Sequence, residues 1–465
     1  MTSGADFLQL DVQPVPRGRR TGWLADTLRA AITSGQLAEG SRLPATRVLS
    51  EELGISRGTV IEVFQRLTEE GLLTANRGAG TVVAPIALRV DQPAVAVRRD
   101  PATDRISVSD GLPDLASFPR TAWLSAERQV LARCTGTELG YPLPQGAVEL
   151  RIELAKWLAR SRGVHVEADR IIITAGVTGA VSLLAQVLGD RGLDTVAVED
   201  PGAEGNRRVL DYWLNRVLPV PVDSQGIMVS ELATTEARVA VVTPAHQFPT
   251  GVVLSPQRRR DLIGWAEHRD GLIVEDDYDA EYRYDRSPVR AMHGLAPNAI
   301  AYVSSLSKLL APALRLGWLI APPQLHDDLV TKRWATDLGM PILPQLTLAE
   351  LLRKGVLERH LRTMRARHRQ RRDAAVRAIA DYLPGATVHG IAAGVHILVM
   401  LAAQADDTEL ARLAAEHGIV VAPLSVHRRE PGPPGLIIGY GAHPPARLRE
   451  AIRTIGTLLP AATRQ

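Results

Sequence analysis

Only one cysteine, Cys134, and four lysines, Lys156, Lys308, Lys332 and Lys354, occur in a chain of 465 residues that carries 54 basic side chains. A lone cysteine excludes an internal disulfide, and its apolar neighbours Val130 and Leu131 point to packing rather than chemistry. The scarcity of lysine makes each one worth weighing. An imine with an aldehyde needs a primary amine that can lose its proton, which a guanidinium does not do at accessible pH. No run approaches the roughly 18 uninterrupted apolar residues of a membrane span, and the opening MTSGADFLQLDVQPVPRGRR lacks the apolar core of a signal peptide. A soluble, cytoplasmic protein with no membrane partner is therefore expected. A strong excess of charge is also missing: the formal value of +3 is too mild to argue for nucleic acid unaided. What is present is ordinary globular composition, 45% hydrophobic and 23% charged, in a chain long enough for two or three domains.

From Gly22 to Ser34, Trp23, Leu24, Thr27, Leu28, Ala31 and Ile32 recur at helical spacing, and Gly35 ends the run. A turn with Pro44 leads to a short helix holding Leu49 and Leu53, closed by Gly54. A third helix starts at Ser56, a good N-cap, and puts Val60, Val63, Phe64 and Leu67 on one face. Apolar runs at Leu72 to Ala75 and Thr81 to Ala84 flank a glycine-containing turn and read as a hairpin. Three helices and a hairpin predict a winged helix-turn-helix domain over residues 14–84. Residues 85–107 hold three prolines and no sustained period, which predicts a linker. In 108–465, strand-like runs (Ile171 to Thr174, Thr195 to Val198, Val239 to Thr243, Leu272 to Val274, Ile300 to Val303, Trp318 to Ile320) alternate with helical segments. That is the pattern of a large, mainly parallel α/β sheet, followed by a smaller α+β lobe.

In a helix-turn-helix the start of the recognition helix meets bases and phosphates. Here it reads Ser56-Arg57-Gly58-Thr59, in which Arg57 can donate bidentately to a guanine while Ser56 and Thr59 hold phosphates. Arg47 on the preceding helix and Arg77 at the wing are candidate backbone contacts; the alternative is an ordinary solvated surface. The match of Gly35 to Pro44, of the LGISRGTV recognition start and of the RGAGT wing (Arg77 to Thr81) resembles the GntR family of winged-helix repressors over about 60 residues. That resemblance implies operator DNA as a partner and puts Arg42, Arg47, Ser56, Arg57, Thr59 and Gly80 at DNA-contacting positions.

Three constellations in the second domain suit the holding of a phosphorylated pyridine aldehyde. Ile171 to Thr174 runs through Gly176 into a helix whose free amides and dipole favour a phosphate, although glycine at such a corner is commonplace. Ile273-Val274-Glu275-Asp276-Asp277-Tyr278-Asp279 is an apolar strand ending in acids. A carboxylate there can keep a cofactor's ring nitrogen protonated and a nearby phenol can bond its 3-oxygen; metal binding or a helix cap are the alternatives, with no histidines at ligand spacing. Ser304-Ser305-Leu306-Ser307-Lys308, leading to Arg315, offers hydroxyls and a guanidinium for phosphate and an amine for the imine, or else is a serine-rich turn with a surface lysine.

The strings GYPLPQG, VEDPG, TPAHQFPTG, VEDDYDAEYRYD and SSLSKLLAPALRLGW resemble the fold-type I aminotransferases. Combined with the N-terminal domain, the chain is similar to the MocR/GabR subfamily of regulators. The resemblance implies an α+β winged helix-turn-helix followed by an α/β pyridoxal 5'-phosphate (PLP)-dependent fold-type I aminotransferase-like domain. It assigns Lys308 to the imine, Asp276 to the pyridine nitrogen and Tyr278 to the 3-oxygen. It assigns Ser305, Ser307 and Arg315, with the Val177 and Thr178 amides, to the phosphate; Tyr141 reaches the phosphate of a partner subunit, and His246 and Gln247 line the ring's oxygen side. A head-to-tail homodimer and a small-molecule effector, PLP or an amino compound, are further implications. Two departures stand out. Ala203 occupies the place after VEDPG where much of the subfamily has a stacking aromatic, and the segment Pro433 to Gly439 contains no arginine to anchor a substrate carboxylate. Both favour a regulator over the alternative, an active PLP-dependent aminotransferase with an accessory N-terminal domain. The Arg-rich stretch Arg359 to Arg377 reads as a solvated helix face or as a second DNA contact.

Overall fold

The computed structural model describes residues 15–76, 80–85, 105–109, 111–284, 289–390 and 392–463. The chain divides into two compact units, one within residues 1–101 and the other within 102–465. In the first, helices α1 (Arg20–Thr33), α2 (Thr46–Leu53) and α3 (Arg57–Glu69) precede the antiparallel pair β1 (Leu73–Asn76) and β2 (Gly80–Val83). Leu24, Leu28, Leu49, Val60, Val63 and Leu67 are fully buried together, so the helical periodicity of the sequence becomes one shared core. Gly54 closes α2 in the left-handed conformation, at φ 58°, which a residue without Cβ adopts at no steric cost.

The second unit opens with β3 (Ile106–Ser107), which pairs in parallel with a strand over Ile419–Val420. The expected linker therefore ends before residue 106. Ile106 and Val108 are almost completely buried, and the short alternation Ile-Ser-Val-Ser is too brief to announce a strand without its distant partner. Helices α4 (Arg120–Arg133) and α5 (Val148–Arg162) lead into β4 (Ile171–Thr174), α6 (Gly176–Asp190), β5 (Thr195–Asp200) and α7 (Glu204–Trp213). Then come β6 (Arg216–Asp223), β7 (Gly226–Ile227), α8 (Val229–Thr234), β8 (Val239–Val242), α9 (Pro256–Arg269) and β9 (Leu272–Asp276). After β10 (Ile300–Ser305) and β11 (Gly317–Ile320), the eight-stranded sheet is complete in the order β4-β11-β10-β9-β8-β5-β6-β7. Its central run β10-β9-β8-β5-β6 is parallel, whereas β11 is antiparallel to both of its neighbours. Every residue of β4, β8, β9, β10 and β11 is buried, as expected for a sheet covered on both faces. Strand β6 has no apolar signature in the sequence because Pro219 and Pro221 interrupt it; it tolerates them near the sheet edge, where fewer amide partners are needed.

Helices α10 (Pro323–Asp337), α11 (Ile342–Arg353) and α12 (Val356–Tyr382) connect to the smaller lobe. There β12 (Thr387–His389), β13 (His396–Met400), β15 (Ala422–Pro423) and β16 (Gly435–Gly439) form a four-stranded antiparallel sheet in the order β12-β13-β16-β15, accompanied by α13 (Asp407–Glu416) and α14 (Pro445–Leu458), while β14 (Ile419–Val420) is the partner of β3. The arginines of α12 are not simply solvated. Arg365 donates to the Glu281 carbonyl at 2.8 Å, and Arg367 and Arg371 clamp the buried Asp114. They tie the long helix to the segments beside it, a use that a charge count does not distinguish from solvation. Cys134 is half-buried against the apolar core around Trp157. Among the described residues no helix is long and apolar enough to cross a membrane.

Candidate cofactor cavity and DNA-facing helix

At the start of α3, Ser56 has extended backbone and its Oγ accepts the Thr59 amide at 3.1 Å, while the two hydroxyls lie 2.8 Å apart. The cap fixes the helix start so that Arg57, its first residue, stands exposed. Arg47, largely exposed, pairs with Glu51 at 3.0 Å, a contact a phosphate would have to displace. Arg42 lies over the wing: a Cβ at Gly80 would come within 3.0 Å of its Nε, so glycine leaves room for this guanidinium. Arg77 lies outside the described residues.

In the second unit, β9 and β10 run in parallel with Val303 opposite Asp276, so both strands deliver their C-terminal residues to one edge of the sheet. Ligands of open α/β sheets bind at such an edge. A cavity of about 560 Å³ opens there, lined by Val177, Thr178, Asp276, Tyr278, Lys308 and Arg315, with Ser305 and Ser307 between them. Gly176 begins α6, and Val177 and Thr178 follow in its first turn, where backbone amides have no partner within the helix. Arg315 adopts φ 49° after a short 3-10 turn and donates to the Ala175 carbonyl, bringing its guanidinium to that helix start. A side chain on Gly317 would strike the Cα of Gly176 and the Ser304 carbonyl, both at 2.7 Å. Glycine at 317 is thus what lets α6 approach the sheet closely enough to form a cradle.

The acids after β9 have separate tasks. Glu275 accepts the amides of Met292 and His293, each at 2.8 Å. Asp277 takes Arg162 bidentately at 2.6 and 2.9 Å and the Tyr302 hydroxyl at 2.7 Å. Asp279 accepts from Nδ1 of His246 at 3.0 Å. Asp276 alone faces the cavity: its Oδ2 accepts from Asn206 at 2.8 Å, and its buried Oδ1 has no partner. Burial above all, with Asp277, Asp279 and Glu199 nearby, pushes its carboxyl up from 3.8 to about 7, against the opposing Asn206 bond. Between those values the folded chain keeps a proton that the unfolded chain has released. The contribution is therefore fully present below 3.8 and is lost as pH rises through about 7. In the cofactor-free protein, Asp276→Asn is expected to lose less stability than wild type between about pH 5 and about pH 8, read as the change in thermal midpoint. Parallel pH profiles of the two proteins would contradict this.

Two sequence expectations change. His246 and Gln247 do not line the cavity. His246 is buried behind Tyr278, whose hydroxyl donates to the His246 carbonyl at 3.0 Å, and its ring is held by Asp279. Gln247 spends its amide on Glu199 and on the carbonyls of Pro201 and Phe248, and its Oε1 on Thr250. Their closeness in sequence to the cavity wall disguised supporting roles. Tyr141 stands 90% exposed and is not among the residues lining the cavity. Neither arginine near β16 reaches the cavity: Arg429 pairs with Asp211, and Arg428 lines a separate hollow with Asp200 and Glu430. Beside Ala203 the wall is completed by Asn206, Phe248, His396 and His427, none of which the sequence reading singled out. A histidine opening the buried strand HILVM was the one available signal. Although no histidines lie at ligand spacing in the sequence, folding brings His246, Asp279 and His396 within 4.8 Å of one another; the first two are paired together.

Residues 104–455 match the family described as aminotransferase class I and II, and residues 22–83 match the bacterial regulatory proteins of the gntR family. The chain is 33% identical over 460 residues to the "Probable rhizopine catabolism regulatory protein MocR" of Rhizobium meliloti, covering 93% of this chain and 92% of the relative. It is 32% identical over 439 residues to the pyridoxine biosynthesis transcriptional regulator PdxR of Corynebacterium glutamicum, covering 93% and 94%. Among solved structures it is similar to LysN, an alpha-aminoadipate aminotransferase of Thermus thermophilus complexed with N-(5'-phosphopyridoxyl)-L-leucine, with a TM-score of 0.71, 25% identity, and coverage of 77% and 93%.

Proposed function

The chain belongs to the MocR-type branch of the GntR family, and from that membership we propose a transcriptional regulator whose operator binding is controlled by PLP or by PLP together with an amino compound. The observation that carries the cofactor reading is the unpartnered Oδ1 of Asp276 in the same cavity as Lys308. A buried, half-satisfied carboxylate calls for a donor, and a protonated pyridine nitrogen is one. Bound PLP would supply an electrophilic carbon and an electron-withdrawing ring. Lys308 would hold it covalently, Asp276 would keep its ring nitrogen protonated, and Tyr278 would donate to its 3-oxygen. Arg315, the Ser305 and Ser307 hydroxyls and the first turn of α6 would hold its phosphate. The LysN complex contains a phosphopyridoxyl group, which supports this occupant for a related fold.

The same cavity is poorly equipped for full transamination of an amino acid. Among the described residues lining it, Arg315 is the only guanidinium, and it belongs to the phosphate end. Control rather than turnover is the better use of such a site. A ligand acts on operator binding only if it favours one arrangement of the protein over another. We further propose a head-to-tail homodimer: Leu124 and Leu131 on α4, Leu139 and Leu143 in the following loop, and Val148 on α5 are all exposed and apolar, and Tyr141 stands out among them. In that dimer Tyr141 would reach the partner's cofactor phosphate.

Operator recognition is tested by selecting duplexes from a random pool with the full chain, then footprinting the enriched sequence with and without PLP. Arg57→Ala is expected to lose about 1–3 kcal/mol of specific binding and to relax the preference at one base pair. Binding that is indifferent to sequence, or identical with and without PLP and candidate amines, would remove the proposal.

A further inference from the structure

Two histidines line the cavity, and the hydrogen bonds of each fix its tautomer. His427 directs Nδ1 to the carbonyl of Gly202 at 3.3 Å. A carbonyl only accepts, so Nδ1 carries the hydrogen and Nε2 keeps its lone pair while the ring is neutral. His396, only 3% exposed, bonds the carbonyl of Pro249, and its Nε2 has no partner. The bonded nitrogen is therefore Nδ1, and here too the vacant atom is an acceptor. Burial, with His246 and Lys308 nearby, holds His396 well below the ordinary histidine value, and burial also lowers His427. Both rings are neutral near pH 7. The other ionisable groups on the wall do not invite a second anion: Lys308 and Arg315 serve the cofactor, and Asp276 and Glu204 are carboxylic acids.

We propose that His396, assisted by His427, is the specificity-determining residue for the effector. Its Nε2 accepts a hydrogen bond from an N–H or O–H group on the ligand. The cavity is thus built for an amine that carries a further donor and no carboxylate. This rests on the cofactor reading of the cavity. It goes beyond that reading in naming the chemistry of the second ligand and the atom that recognises it.

The test uses the full chain loaded with PLP, titrated calorimetrically and by absorbance with amino alcohols of two to four carbons, the alkylamines of the same length and the corresponding amino acids. In wild type the best amino alcohol should bind about tenfold more tightly than its alkylamine, the worth of one good buried hydrogen bond, and more tightly than the amino acid. His396→Phe should abolish that preference, so that the amino alcohol binds no better than its alkylamine, and His396→Gln, which keeps an acceptor, should restore part of it. A wild type that binds alkylamines or amino acids as well as amino alcohols, or none of them, overturns the inference while leaving the cofactor site standing. Equal weakening of every probe in His396→Phe would reduce His396 to a packing residue and also overturn it. Failure of the wild type to take up PLP would instead refute the cofactor reading on which it rests.

Discussion

Lys308→Ala should yield a folded protein that gives up PLP completely on dialysis, shows no visible absorbance from a protein-bound cofactor, and binds operator identically with and without PLP. The fold should survive because Lys308 is only half-buried and lies after the end of β10 rather than within the sheet. Wild type treated with PLP and a borohydride reductant should carry the label through denaturation, and the variant should carry none. The other three lysines offer no substitute. Lys156 pairs with Glu153, Lys332 with Asp190 and Lys354 with Glu350, and none of the three lines the cavity. An amine tied to a carboxylate outside the cavity is not placed to meet the cofactor's aldehyde. Undiminished labelling of the variant would mean that one of those lysines, and not Lys308, holds the cofactor.

Arg162→Leu is expected to destabilise the second unit by about 3–5 kcal/mol, measured as a fall in the denaturant midpoint of the cofactor-free chain. Arg162 and Asp277 are both completely buried, and the pair is bidentate. Removing the cation leaves Asp277 with the Tyr302 hydroxyl but no compensating charge. Arg162→Leu combined with Asp277→Asn should recover much of the loss, because the cost lies in the stranded anion rather than in the missing attraction. A double variant as unstable as the single one would show that the guanidinium matters for packing instead. The pair also stands next to Asp276 in the chain, so the single variant should weaken PLP binding as well, by loosening the segment that aims that carboxylate.

The two motif-dense regions were legible because their chemistry is local in sequence. Ser56, Arg57 and Thr59 lie within one helical turn, and the cap and the exposed guanidinium follow from three adjacent residue types. Lys308, Asp276 and Arg315 stand at ends of strands whose apolar runs mark the sheet, and the rule that strand ends carry ligands did the rest. Residues serving the cavity from other segments were not legible. Asn206, Phe248, His396 and His427 come from α7, the loop after β8, the first residue of β13 and the turn after β15. Conversely, His246 and Gln247 sit in a recognisable string yet face inward, because side-chain direction in an irregular loop follows no period.

The scarcity of lysine narrowed the candidates for covalent chemistry to four before any fold was known, since only an amine that can lose its proton qualifies, and the segment Ser304 to Lys308 with its resemblance singled out Lys308. Sequence also determined the helix-turn-helix with its wing and the succession of buried strands, each encoded by spacing along the chain. Only the tertiary structure decided what the acids beside Asp276 hold, that the arginines near β16 point away from the cavity, and that two neutral histidines line it. Hydrogen-bond partners hundreds of residues apart assign those roles. Burial then sets which charges survive, and neither is written in local pattern.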